Sequence, residues 1–339
     1  MNIAEVLMDL ADCAGVSGDE TCASEKAMEY LNRYSSNCRI KNGNLIADFG
    51  EREEGKPHIL IDAHIDQIGF IINYITDEGF IKVSACGGID CRLLLAQQIT
   101  ILGKKPVSGI VCTFPPHLSK NNPNKVPDIN DIYIDVGMTK EEAEKVISLG
   151  DRAVFAVKSK KLIGDRITGA ALDDRCGVAA ILYAVEMLKE TKLDCSYSVM
   201  FSTQEEVGER GAKIGAYEIN PDIALEVDVS FALTSDDSEI KCGHMGKGCM
   251  IGIAPALDRD LSKKLISLAE KNNIPYQIEV MNGTTGTNAD QFSVTRCGAK
   301  AATLSVPIKY MHTPVEVVSL SDIINTSKII AEFLKEVHL

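Results

Sequence analysis

The sequence predicts an α/β protein in two parts: a layered domain with helices on both faces of a sheet, and a β-rich insert near residue 70. Two observations carry this. Helix and strand patterns alternate at both ends of the chain, the signature of a three-layer helix/sheet/helix domain. Between them, from Gly69 to about Val157, short β-rich runs separated by turns indicate a small barrel or sandwich. The length of 339 residues fits two domains, since single cores stop growing at about 250–300 residues.

Taken in order, residues 3–13 place Ile3, Val6, Leu7 and Leu10 on one helical face. A turn at Gly15–Gly18 follows, with Ser17 expected to cap a helix from about Asp19 to Tyr34. Strands are expected at Arg39–Phe49 and His58–Ala63, with Glu51–Pro57 as the polar turn between them. The insert holds β runs at Phe70–Ile75, Phe80–Ser84, Gln98–Leu102, Val107–Phe114, Ile132–Val136 and Ala153–Val157. One helix, Lys140–Ile147, and an exposed Pro-rich loop, Pro115–Pro127, complete it. Beyond Gly164 the expected elements are helix Asp174–Lys189, strand Tyr197–Ser202, helix Gly211–Tyr217 and strand Ile223–Val229. Helix Asp258–Asn272, strand Tyr276–Met281, helix Ala289–Thr295, strand Ala301–Val306 and helix Leu320–Val337 close the chain.

Composition excludes several function classes. A net charge of -13 argues against nucleic-acid partners and against docking on anionic membranes. Glu5 and Asp9 interrupt an N-terminus without a signal-like apolar core, and the apolar stretch Gly177–Leu188 is too short to span a bilayer. Eleven cysteines with no Cys-x-x-Cys pair suggest a reducing, cytoplasmic compartment, not a disulfide framework or a cysteine-held zinc.

In open α/β sheets ligands bind beyond the carboxyl ends of strands. Those ends here read Asp62-Ala63-His64-Ile65-Asp66, then Thr203-Gln204-Glu205-Glu206, and Leu225-Glu226-Val227-Asp228. Leu172-Asp173-Asp174-Arg175 opens a helix, and Val306-Pro307 leads to Tyr310-Met311-His312. Adjacent buried acids are costly unless cations compensate them. Histidine with carboxylates suits zinc, cobalt or manganese, and two such ions sharing a carboxylate can activate water for hydrolysis. A further carboxylate is then needed as general base. Singly, each residue has a plainer reading: His64 as a hydrogen-bonded core histidine, Asp173-Asp174 as acids favoured at a helix N-terminus, Glu205-Glu206 as a solvated turn. Their conjunction carries the weight.

Two other patterns are set aside. Asn282–Asn288 is Gly-rich ahead of a helix but lacks the lysine of a phosphate loop. Ser17, Ser202 and Cys176 have no evident base partner and are poor nucleophile candidates.

At the same residues the chain resembles the tetrahedral aminopeptidases, a cobalt- or zinc-dependent family that includes bacterial glutamyl aminopeptidase. The resemblance rests on residues 63–69 (AHIDQIG), 169–177 (GAALDDRCG), 201–208 (FSTQEEVG), 220–228 (NPDIALEVD) and 310–317 (YMHTPVEV), with Gly87-Gly88 and Ile132–Phe155 in the insert. It implies two divalent metal ions, one held by His64 and Asp228, the other by Glu206 and His312, with Asp173 bridging. Glu205 would be the general base and Asp66 would orient His64. Residues 1–69 and 161–339 would form the catalytic domain, and residues 70–160 a PDZ-like barrel serving oligomerisation, commonly into a tetrahedral dodecamer. Substrates would be peptides with a free N-terminus. The chain departs from the family pattern at Gln67, often Glu, and at Asn288, often Asp. Some similar proteins are labelled endoglucanases. A glycoside hydrolase is therefore one alternative, though the chain has no Trp for a sugar platform, and a di-metal amidase or carboxypeptidase is another.

Overall fold

A computed structural model describes residues 1–112, 126–235 and 242–337. An eight-stranded mixed sheet forms the main body, in the spatial order Cys38–Lys41, Asn44–Phe49, Ser196–Ser202, His58–His64, Ile223–Phe231, Lys300–Ile308, Cys249–Ile253, Tyr276–Val280. The four central strands, from Ser196–Ser202 to Lys300–Ile308, run parallel. They read as nearly continuous apolar runs because both of their faces are covered.

Alternation along those strands sorts the two layers. Leu45, Ile59, Ile61, Val199, Leu225 and Leu304 pack with helices Ile3–Ala11, Leu172–Leu188, Arg259–Lys271 and Leu320–Glu336. Ile46, Leu60, Met200, Ala224 and Ala301 pack with helices Arg210–Ile219 and Ala289–Ser293 on the opposite face. The result is three layers, helix/sheet/helix. Arg175 is fully buried at the start of Leu172–Leu188 and donates from Nη1 to the carbonyls of Leu10 and Cys13, at 2.9 and 3.3 Å. It thereby caps the end of the first helix with positive charge.

The insert closes into a six-stranded antiparallel barrel in the order Gly69–Ile75, Ile81–Cys86, Ile134–Asp135, Pro106–Val111, Gln98–Leu102, Arg152–Phe155. It has its own core, including Phe70, Ile72, Val83, Ile99, Ile101 and Ile134. Of the Pro-rich segment Pro115–Pro127, residues 115–125 lie outside the described residues, as does Phe114 at the end of the strand expected at Val107–Phe114.

Four local expectations are corrected. Arg39–Phe49 is not one strand but a hairpin, Cys38–Lys41 with Asn44–Phe49. Its two turn residues, Asn42 and Gly43, both take left-handed backbone, φ 52° and 86°, as a two-residue hairpin turn requires. Ser17 does not cap the second helix, which runs Thr21–Leu31 behind Glu20; its hydroxyl turns instead to Asp66. Strand Cys249–Ile253 was not anticipated. Nor was the three-stranded sheet of Lys160–Lys161, Arg166–Gly169 and Glu316–Ser319 that lies beside the main body. Among the described residues no helix is long and apolar enough to cross a membrane.

Candidate metal centre

His64 is the last residue of its strand, and Asp228 stands near the end of the next strand over. Glu205 and Glu206 follow Ser202 in the turn after the neighbouring strand. Asp173 lies in the opening turn of helix Leu172–Leu188, and His312 in the connection between Lys300–Ile308 and Glu316–Ser319. All six line one cavity of about 910 Å³.

The carboxylate of Asp173 is central. Its Oδ1 is 3.0 Å from His64 Nε2 and its Oδ2 3.3 Å from His312 Nε2. Asp228 Oδ1 lies 3.8 Å from the same His64 nitrogen, and Glu206 Oε2 lies 3.3 Å from His312 Nε2. Two histidines thus address opposite oxygens of one aspartate, each with one further carboxylate beside it.

Asp66 does not face the cavity. Its carboxylate sits 3.4 Å from His64 Nδ1, on the side of the ring away from Asp173, and it accepts the Glu205 and Glu206 amides and the Ser17 hydroxyl. Such a carboxylate behind a histidine sets which nitrogen is presented forward. Glu316, not singled out in the sequence, performs a similar service for two other residues. Its Oε2 accepts from the Leu172 and Asp173 amides at 2.8 and 3.2 Å, and its Oε1 from the His312 amide at 2.9 Å. His312 takes a left-handed backbone, φ 60°, and this hydrogen bond helps to hold it there.

Two glycines of the barrel close one wall. A side chain at Gly88 would meet His312 Nδ1 at 2.9 Å, and one at Gly87 would meet Glu206. Only residues without Cβ allow that approach.

The electrostatics show what this cluster lacks. Burial, with Asp228, Glu206 and Asp173 adding to it, pushes the Glu205 carboxyl up to about 9. Burial likewise lifts Asp228 to about 8. Hydrogen bonds to Asp173 and Glu206 raise His312 to about 11. Burial opposes ionisation of Asp173, yet the two imidazoles hold its carboxyl below the ordinary range. Shifts in this direction mark a site of oxygen and imidazole donors that favours added positive charge. Divalent cations fit those donors and would displace the protons.

Other acids crowd behind. Asp174, expected as a helix-start acid, is fully buried with Oδ1 accepting from Gly177, and its ligand atoms fall within 4.8 Å of His64 and Asp228. Asp62, Glu226 and Thr303 stand in one row across three adjacent strands. Asn288 donates to Asp62 Oδ2 and Ser202 Oγ, at 2.8 and 2.7 Å. The row could have been found from its shared strand register, but the sequence does not state that register. The run Asn282–Asn288 contributes Asn282, Thr284, Thr285, Gly286 and Thr287 to the cavity wall. Arg92 pairs with Asp90 and Arg296 stacks over Tyr217, so neither lines the cavity. Lys120 lies outside the described residues.

Comparison with known proteins agrees with this architecture. The family model for M42 glutamyl aminopeptidases matches residues 43–329. A lysyl aminopeptidase from Pyrococcus furiosus is 32% identical, with 98% of this chain and 96% of that protein covered. The structure of aminopeptidase APDkam598 from the archaeon Desulfurococcus kamchatkensis superposes with a TM-score of 0.93 at 34% identity, covering 99% and 95% of the two chains. The TET1 peptidase of Pyrococcus horikoshii, which can assemble into a tetrahedron or a large octahedral shell, superposes at 0.87 with 35% identity, covering 99% and 100%. The chain belongs to the M42 glutamyl aminopeptidase family and is a hydrolase acting on peptides.

Proposed function

We propose that the protein is a metal-dependent aminopeptidase working with two divalent cations per subunit, zinc or cobalt by the nature of the donors. The observation that carries this is the engagement of both Asp173 oxygens by different histidines, which suits a carboxylate shared between two ions. His64 and Asp228 would hold one ion, Glu206 and His312 the other, with Asp173 between them. When bound, the ions supply Lewis acidity at the scissile carbonyl and make water a better nucleophile.

The remaining work falls to the chain. Glu205, in the same cavity but outside the ligand set, takes the proton of the attacking water and returns it to the leaving amine. Asp66 keeps Nε2 of His64 forward and fixes the turn that carries Glu205. The substrate enters by a free N-terminus, which suits a cavity rich in carboxylates. By analogy with the TET1 peptidase, the protein assembles into a closed shell of tetrahedral type, with the barrel of residues 70–160 contributing to subunit contacts. Its compartment is the cytoplasm.

Hydrolysis of aminoacyl p-nitroanilides by EDTA-treated protein, before and after adding back cobalt or zinc, tests this reading. Metal-restored cleavage of free but not N-acetylated substrates is expected. Metal-independent cleavage of a glycosidic substrate would replace it with the two-carboxylate alternative.

A further inference from the structure

One more carboxylate, half-buried, reaches the cavity without belonging to the metal-ligating cluster. Glu279 lies on the edge strand Tyr276–Val280, opposite Gly252, which puts no side chain between it and the inner strands. Its Oε2 accepts from Ser305 Oγ at 2.8 Å and its Oε1 from Ser230 Oγ. Ser305 is the register neighbour of Asp228, so the Glu279 carboxylate is anchored one residue from the metal cluster.

Two neutral hydroxyls fix both of its oxygens, and no cation pairs with it among the described residues. Among the described residues, none that lines the cavity is a lysine or an arginine. Met250, Phe231 and Met281 supply apolar walls beside it. A carboxylate partly withdrawn from water, with both oxygens fixed by neutral hydroxyls and no counter-ion beside it among the described residues, is a favourable partner for a bound cation. Apolar walls leading to an acid fit a long aliphatic stem ending in a cation, the shape of lysine and arginine side chains. An acidic side chain in the same position would meet like charge.

We propose that Glu279 is a specificity-determining residue, selecting peptides whose first residue is lysine or arginine. This rests on the aminopeptidase reading above. Burial also raises the Glu279 carboxyl, an effect that a cationic side chain reverses.

The test uses the full-length, metal-loaded protein with the p-nitroanilides of lysine, arginine, leucine and glutamate. The parent protein is expected to show higher kcat/KM on lysine and arginine than on leucine or glutamate. Glu279→Gln is expected to shrink the lysine-to-leucine ratio on the order of 10-fold or more, and Glu279→Asp by less. A parent that prefers leucine or glutamate overturns the proposal, as does an unchanged ratio in Glu279→Gln. If Glu279→Gln does not fold, the parent's preference and the Glu279→Asp ratio decide in its place. Failure of the parent to cleave all four substrates would instead sink the aminopeptidase reading itself.

Discussion

Asp66 holds Glu205 by its main chain, accepting the Glu205 amide on Oδ1 at 3.0 Å while the same carboxylate stands behind His64. The histidine and the base therefore share one support. Asp66→Asn replaces an acceptor oxygen by a donor that must face N–H or O–H groups. Metal affinity is expected to fall about 10–100-fold. Excess metal should restore occupancy, measured by elemental analysis, but leave kcat low because the Glu205 turn has shifted. Parent-like kcat at restored occupancy would show that Asp66 does not position the turn.

Glu205→Gln keeps the shape of the side chain and removes its capacity to take a proton. Metal content should match the parent, and kcat should fall about 10²–10⁴-fold. Near-normal turnover would move the base elsewhere.

For Glu316→Gln, the concern is three amides that one carboxylate now satisfies. An amide group can accept on only one side, so at least one buried N–H loses its partner. A loss of about 1–3 kcal/mol in unfolding free energy is expected, read by denaturant titration of the metal-loaded protein. Weaker metal retention should accompany it, since the His312 and Asp173 segments lose a common anchor. No change in either quantity would mean that these segments are held by other contacts.

Asn288→Asp turns a donor into a third acid against Asp62 and Glu226. Asp62 and Glu226 already face each other in fully buried surroundings, and burial raises both carboxyls. Stability should drop by about 3–5 kcal/mol, the range for an uncompensated buried charge. Glu226→Gln in the same chain should recover part of it, and strict additivity of the two changes would refute the contact.

His58 gives a pH prediction. Burial, helped by Arg52, lowers its imidazole from 6.5 to about 4, with Ser196 and Ser198 hydroxyls on its two nitrogens. Between those pH values the unfolded chain takes up a proton that the folded chain refuses. This residue therefore weakens folding as pH falls through the window, by up to about 3 kcal/mol. His58→Asn should be less stable than the parent at pH 7, and the gap should narrow by pH 4.5 in parallel melts. A constant gap would place the acid sensitivity elsewhere.

The alternation of helix and strand was legible because the central strands are apolar on both faces, and so was the closed β insert, with its short runs between turns. Of the acids and histidines singled out at strand ends, turns and a helix start, His64, Asp173, Glu205, Glu206, Asp228 and His312 line one cavity, while Asp66 stands behind His64. What stayed hidden depends on register and distance. Glu316 reads as an ordinary strand acid until three amides converge on it. Asp62 and Glu226 become neighbours only when two strands pair in parallel. Ser17 is well placed to cap a helix by sequence, yet the buried Asp66 carboxylate, in the connection after strand His58–His64, outcompetes that role. The Asn42-Gly43 hairpin is different: the dipeptide was in plain view, and the long β-prone run around it masked the turn.

His64 and His312 stand about 250 positions apart, with the whole barrel between the first histidine and Asp173. No nascent or clipped fragment can assemble this centre, because its donors come from the early, middle and last parts of the chain. Cations held as proposed would add their binding energy only to a chain whose three parts have come together. On the two-ion reading, ion uptake would then report that the chain has closed on itself from end to end.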